Sequence, residues 1–334
     1  MYLLEGIAKS YVKQSFDIEE VSALANSDFF ISGGTGFSGR WIITVLRALF
    51  EPEDSPNITV ISRSPEKAQR VFRDCSNLVV LEWKSLEGCV RRLPYERKII
   101  AIHASVPAAS GVTISHSDVI QLKLLTESFA LLLGNQTNSP IFINLSSGGV
   151  YLRPKTGSIP ELGGQLKSSL TNPYDEVKIA DEETVNRLTQ EGVINGVNPR
   201  MFSFTGPGID IPGRFALGSF LHEALKNNPV EITGNEYSLR SYMSPIDLGI
   251  WILKSAIYPT IQTIHIGSSE GQNMIDIAQQ VSRLFGNGEV EITHSLSTEL
   301  ESYVPQTQQS QKQLHIKEVL DFSSSLSFWK SQLL

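Results

Sequence analysis

The sequence predicts an α/β protein, a doubly wound parallel sheet joined to a smaller, interleaved lobe. Three observations carry that prediction. Short apolar runs alternate with helical stretches from Asp28 onward, the pattern of parallel crossover units. A glycine-rich turn, "SGGTGFSG" at residues 32–39, falls between the first apolar run and the first long helix. No tandem repeat or low-complexity segment is present, which excludes a solenoid.

Residues 1–27 read as a loosely amphipathic helix, with Leu3, Leu4, Ile7, Tyr11 and Val12 near helical spacing, packed on the main domain or on a partner subunit. "DFFIS" is the first strand, and "RWIITVLRALF" a helix with one apolar face. "NITVISRS" is the second buried strand, followed by the helical "PEKAQRVFRD". "NLVVLEWK" supplies a third strand and "RKIIAIHAS" a fourth. After the helical "SDVIQLKLLTESFALLL", "SPIFINLSS" is the fifth; the long helix "YDEVKIADEETVNRLTQE" leads into a sixth strand, "GVINGVNPRMF". The polar stretch beyond about residue 290 reads as peripheral, and "SLSFWKSQLL" as a helix packing on the lobe or on a partner.

Composition narrows the function classes. With 334 residues, 41% hydrophobic and 19% charged, the chain has the balance of an ordinary globular protein rather than a disordered one. A net charge of −7 gives no basic excess to neutralise a phosphate backbone, so nucleic acid is not an expected partner. Cys75 and Cys89 are too few for a disulfide framework and lack metal-site spacing, so no metal is expected and a reducing cytoplasm fits best. The most apolar runs are broken well short of a bilayer-spanning length, and no signal peptide is read at the N-terminus.

The glycine turn carries chemistry. Placed directly after a strand and before a helix, it gathers unpaired backbone N–H groups and the helix's positive end at one point, which suits a dinucleotide's pyrophosphate. Gly33 would permit the tight turn, Gly36 the approach of the phosphates, and Gly39 the close packing of helix on strand.

Read as Ser32-Gly33-x-x-Gly36-x-x-Gly39, the motif resembles that of the extended short-chain dehydrogenase/reductase superfamily. Members carry a Tyr-x-x-x-Lys pair at the start of a long helix, and "YDEVK" supplies Tyr174 and Lys178 on one helical face. A phenol with an ordinary pKa near 10 needs an adjacent cation to act as acid/base at neutral pH. The superfamily's serine lies at the end of the fifth strand, four residues before a tyrosine; "SSGGVYL" puts Ser147 four residues before Tyr151. Ser147, Tyr174 and Lys178 in this order resemble that catalytic set.

The likeness extends through most of residues 28–285 and is closest to the NAD-dependent epimerase/dehydratase branch, whose members modify nucleotide sugars on a Rossmann fold. It implies a cofactor site formed by Gly33, Thr35, Gly36, Phe37, Ser38 and Gly39, by Ser62 and Arg63, by the fourth-strand segment His103, Ala104 and Ser105, and by Ser146, Tyr174, Lys178 and Phe202. His103 reads as a core histidine with satisfied hydrogen bonds rather than a proton carrier. The implied substrate contacts are Gly148, Gly149, Ser203, Arg214, Phe215 and Arg240, the last meeting the sugar nucleotide's diphosphate. Residues 28–203 and 239–268 would form the dinucleotide-binding domain, and 204–238 with 269–334 the substrate lobe, after the extension 1–27. A homodimer is implied as well.

Two local features set the expected reaction. NAD-preferring relatives end the second strand with a carboxylate; Ser62-Arg63 stands here instead, which favours NADP(H), with NAD(H) possible. Relatives that dehydrate a hexose carry an Asp-Glu pair after the serine, where this chain has Gly148-Gly149, with Glu161 the nearest acidic residue further along. The expected activity is NADPH-dependent reduction of a nucleoside-diphospho-4-keto-6-deoxyhexose, a step toward surface polysaccharide. The alternatives are a nucleotide-sugar 4-epimerase that keeps its cofactor bound, and a non-enzymatic dinucleotide sensor. The helix after the fourth strand lacks the asparagine through which many relatives route a water-mediated proton path.

Overall fold

A computed structural model describes residues 6–333, except 74, 76, 92–96, 107–113, 137–138, 168–171, 214, 260–262 and 296. Six strands form one parallel sheet: β1 (Ser27–Ser32), β2 (Ile58–Ser62), β3 (Leu78–Glu82), β4 (Lys98–His103), β5 (Ile141–Asn144) and β7 (Asn195–Val197). Their order, β3-β2-β1-β4-β5-β7, reverses between β1 and β4. That is the Rossmann switch point, where a cleft opens at the carboxyl ends of the strands.

Residue period explains why this sheet needs a layer on each side. Every residue of β1 is buried. Phe29 and Ile31 point into a core shared with α3 (Phe37–Ala48) and α9 (Pro245–Ile257). Phe30 points the other way, into a core with α5 (Leu86–Val90), α6 (His116–Gln136) and α7 (Pro173–Gln190). A strand buried on both faces reads as a continuous apolar run, as "DFFIS" does. The helix α4 (Pro65–Phe72) links β2 to β3.

Two strands that the sequence reads as continuous are each broken in two. The fifth divides at Leu145 into β5 and β6 (Ser146–Ser147), and the sixth at Asn198 into β7 and β8 (Pro199–Met201). At this break the Asn144 side-chain amide donates to the Asn198 side chain at 2.9 Å. Beyond it, β6 and β8 join β11 (Ile264–Ile266) in a separate three-stranded sheet, so the serine pair leaves the main sheet.

A second core lies in the smaller lobe. There α8 (Ala216–Leu225), β9 (Val230–Ile232) and α10 (Met274–Phe285) enclose Leu217, Phe220, Ile232 and Ile277. The expected C-terminal helix is α12 (Phe322–Ser331), and it packs on this lobe through Phe322, Leu326 and Trp329. Around it, β13 (Val290–Ile292) pairs with β9, while β10 (Leu239–Arg240) lies between β12 (Gln272–Asn273) and β14 (Ser302–Tyr303). A short helix, α11 (Gln308–Gln313), follows β14.

The N-terminal extension forms two helices, not one: α1 (Gly6–Gln14) and α2 (Ile18–Ala25). Asp17 starts the second with a capping box, accepting from Glu19 and Glu20 amides while the Glu20 side chain accepts from the Asp17 amide. Val12 is fully buried; Leu3 and Leu4 lie outside the described residues, as does the side chain of Ile7. The pair docks on the main domain through the buried ion pair of Glu20 with Lys254, to which the Tyr258 hydroxyl adds a hydrogen bond at 2.9 Å.

Candidate active site

The glycine turn sits at the carboxyl end of β1, and its geometry fits a dinucleotide. Gly33 has φ +71°, and a Cβ there would lie 2.1 Å from the Ala104 carbonyl oxygen. A Cβ at Gly39 would fall 2.5 Å from the Gly33 carbonyl oxygen, so only glycine lets α3 start this close to the turn. Gly36 is the N-cap of α3 and offers no side-chain cap, which leaves the first helical N–H groups free for a phosphate. Thr35 and Ser38 line the same turn, and Phe37 packs 6.4 Å from Phe204, ring centre to ring centre.

Neighbouring strand ends complete the cradle. Ser32 pairs with Ile61 on one side and His103 on the other, so Ser62-Arg63 and Ala104-Ser105 both flank the turn. Arg63 is exposed, and the Ser62 hydroxyl accepts from the Ser64 amide at 3.1 Å. His103 is buried between the Ser32 hydroxyl at 2.8 Å and the Thr126 hydroxyl at 3.0 Å. Burial, with a smaller push from Lys178, lowers its pKa to about 3, so it stays neutral. This is the satisfied core histidine that the sequence predicts.

Across the cleft, α7 begins at an Asn172 cap that accepts from the Tyr174 amide at 3.0 Å. One turn later, the Lys178 ammonium lies 5.6 Å from the centre of the Tyr174 ring and donates to the Leu145 carbonyl at 2.6 Å. Burial pulls the Lys178 pKa down to about 8, against the opposing influence of Asp181 and Glu182. The Ser147 hydroxyl accepts from the Gly149 amide at 3.0 Å. The hydroxyl of its neighbour Ser146 donates to the buried carboxylate of Glu182, which also takes a two-pronged bond from Arg200.

Several residues at this site had no announcement in the sequence. Tyr303, on the stretch read as peripheral, reaches the Ser147 hydroxyl, and burial pushes its own pKa up. Its ring packs 5.0 Å from Phe202 and lies 4.7 Å beneath the Arg153 guanidinium. Phe202 also fills the space over Gly148, where a Cβ would meet its ring at 2.7 Å. A carboxylate does stand close to Ser147: a Cβ on Gly149 would be 3.0 Å from both Asp175 Oδ1 and Ser147 Oγ. That carboxylate is paired with Lys167 at 2.6 Å. No pattern of spacing links 149, 175 and 303; only the fold does.

The expected substrate residues are placed less uniformly. The Ser203 carbonyl accepts from the Met243 amide at 3.0 Å, fixing the turn after β8. Phe215 caps α8 and is exposed. Arg214 lies outside the described residues. Arg240, expected to meet the diphosphate, is paired with the carboxylate of Glu301, which Arg153 also meets at 2.7 Å. Beside the site, the Tyr151 hydroxyl and His265 Nε2 lie 2.8 Å apart, with burial lowering the His265 pKa to about 4.

Comparisons with known proteins bear on the fold and the family. No curated protein sequence matches the chain. An epimerase from Methanothermobacter thermautotrophicus superposes with a TM-score of 0.72 at 16% identity, over 94% of this chain and 95% of that one. A UDP-glucose 4-epimerase from Thermotoga maritima gives 0.72 at 17% identity, over 92% and 100%. A Bacillus cereus UDP-glucuronic acid 4-epimerase, solved with UDP-glucuronic acid and NAD, gives 0.70 at 17%, over 92% and 100%. At such identities the likeness speaks for the fold. The model of the NAD dependent epimerase/dehydratase family matches residues 29–253, from the first strand through the glycine turn, the serine and the Tyr-x-x-x-Lys helix into α9, and the chain belongs to that family.

Proposed function

We propose that this protein reduces the ring carbonyl of a nucleoside-diphospho-4-keto-6-deoxyhexose with NADPH, making a deoxysugar nucleotide for surface polysaccharide. The observation that carries the reading is the Lys178 ammonium, 5.6 Å from the Tyr174 ring and bonded to the Leu145 carbonyl two residues before Ser147. The bound cofactor supplies the hydride. Tyr174 gives its phenolic proton to the carbonyl oxygen and is left as a phenolate, which the Lys178 ammonium stabilises. Ser147 donates a hydrogen bond to the same oxygen and shares its developing charge. The Lys178 ammonium has donors to spare for ribose hydroxyls, since the Leu145 carbonyl engages it only once.

Two features support reduction over elimination and NADPH over NADH. Elimination needs an acid for the departing hydroxyl and a base for the C5 proton; Gly148-Gly149 offers neither, and Lys167 neutralises Asp175. Exposed Arg63, with Ser62 rather than a carboxylate, suits a 2′-phosphate. A 4-epimerase that retains its cofactor is the second reading, favoured by the likeness to UDP-sugar 4-epimerases and by the NAD held in one of them. A dinucleotide sensor would have no use for the three site residues.

The experiment mixes the protein with a thymidine-diphospho-4-keto-6-deoxyhexose and either NADPH or NADH, following loss of the reduced cofactor's absorbance. The expected result is consumption of NADPH in preference to NADH, with Arg63→Ala narrowing the preference. No consumption with any 4-keto nucleotide sugar, together with interconversion of two unmodified nucleotide sugars, would establish the epimerase instead.

A further inference from the structure

Three residues beyond Lys178 on α7, Asp181 is wholly buried, and among the described residues its carboxylate has no close hydrogen-bond partner, with only the Thr126 hydroxyl turned toward it. An ionised carboxylate stripped of water and given no close donor is among the least favourable groups a fold can hold, so its presence calls for a counter-charge. Spacing of three residues puts it on the helical face of Lys178, which is itself only 3% exposed.

The groups around Asp181 leave Lys178 as that counter-charge. From α6, the Thr126 hydroxyl faces it but donates to the Leu122 carbonyl at 3.2 Å, and Lys123 is an exposed side chain. From β4, His103 is buried and neutral, with both ring nitrogens engaged. On α7 itself, Glu182 is a like charge already committed to Arg200 and Ser146. Among the described residues Lys178 is the one cation buried beside Asp181, and its ammonium makes a single hydrogen bond there, to the Leu145 carbonyl.

We propose that Asp181 is a positioning residue of the reaction, whose buried carboxylate keeps the Lys178 side chain an ammonium and so maintains the support that Lys178 gives to the Tyr174 phenolate. The tendencies of the two groups agree with the geometry. Burial lowers Lys178 to about 8, and Asp181 is the largest influence opposing it. Burial raises Asp181 to about 6, and Lys178 is the largest influence opposing that. Remove the carboxylate and burial acts on Lys178 with less opposition, so the amine loses its proton at a lower pH. Above that pH Tyr174 faces a neutral amine, and its phenolate loses stabilisation.

The catalytic half of this inference rests on the roles given to Tyr174 and Lys178 above; the charge coupling does not. It is tested on the cofactor-free protein by titrating the side-chain ammonium of 15N-labelled lysine by NMR, with the Lys178 signal assigned by its loss in Lys178→Met. In Asp181→Asn the midpoint of Lys178 is expected to fall by about one pH unit or more, and Asp181→Ala carries the same expectation should the first variant not fold. The reciprocal measurement needs neither: the Asp181 carboxyl should titrate at higher pH in Lys178→Met than in the wild type. An unchanged or raised Lys178 midpoint in a folded Asp181 variant, or an unmoved Asp181 midpoint in Lys178→Met, overturns the coupling. With NADPH and a 4-keto nucleotide sugar, the alkaline limb of kcat/KM should move down in Asp181→Asn along with the NMR midpoint. A limb that stays in place while the midpoint moves overturns the catalytic half alone. Absence of any turnover in the wild type overturns the proposed reaction and leaves the titration to decide the coupling.

Discussion

Residues 146–182 and residues 301–316 both border the candidate active site, but they are held there in different ways. The first segment carries its chemistry on a long helix. Tyr174 and Lys178 are aligned by one helical turn, fixed by the Asn172 cap and by the bond from Lys178 to the Leu145 carbonyl. The second contains only a two-residue strand and a six-residue helix, and the rest of the protein clamps it. Glu161 accepts from the Gln309 and Ser310 amides and from the Ser310 hydroxyl. Ile159 donates to the Val304 carbonyl at 2.7 Å and accepts from the Gln306 amide at 2.8 Å. His265 adds a backbone bond to the Ser310 hydroxyl at 2.8 Å and a ring contact to the Gln306 carbonyl at 2.9 Å.

The difference teaches where each kind of function can reside. Proton transfer needs atoms held to a fraction of an ångström, and a helix built on the sheet supplies that rigidity. A strap tied down by backbone bonds can present Tyr303 to Ser147 without owning a regular element of its own. On the proposed function, its hydroxyl adjusts the site and the α7 residues perform the step.

That contrast can be broken by substitution. Tyr174→Phe keeps the ring and removes the proton, so turnover should fall by about 10²–10⁴-fold while cofactor affinity changes little. A loss of only twofold would remove Tyr174 from its role. Tyr303→Phe removes a neutral hydroxyl contact, worth roughly 1 kcal/mol, so kcat/KM should fall only about fivefold. Equal losses in the two variants, measured under single-turnover conditions, would erase the distinction between the segments.

Most of the sheet and the glycine turn were legible because they are written in local spacing. The apolar run "DFFIS", the interval Gly33–Gly36–Gly39 and the pair Tyr174–Lys178 are each short and local. The break in the N-terminal extension was also written locally, as the capping box in "DIEE", but the apolar spacing that suggests one helix runs across it. The splitting of the fifth and sixth strands had no such mark, since it follows from Asn144 and Asn198 meeting across 54 residues. Tyr303, Asp175 near Gly149 and the pairing of Arg240 with Glu301 are products of the chain's return to the site, and no period or motif encodes them. Asp181 reads in sequence as one more charge on a charged helix; only its burial sets it apart.

The central claim, that a hydride passes between nicotinamide and a sugar carbonyl at Ser147 and Tyr174, is tested most directly by isotope transfer. The protein is incubated with NADPH deuterated at the transferable C4 position and a thymidine-diphospho-4-keto-6-deoxyhexose, and the product is examined by mass spectrometry and NMR. The account predicts one deuterium per product molecule, bonded to C4 of the sugar, and none when Tyr174→Phe replaces the wild type over the same interval. A reduced product without deuterium at that carbon, or undiminished transfer by Tyr174→Phe, would contradict it.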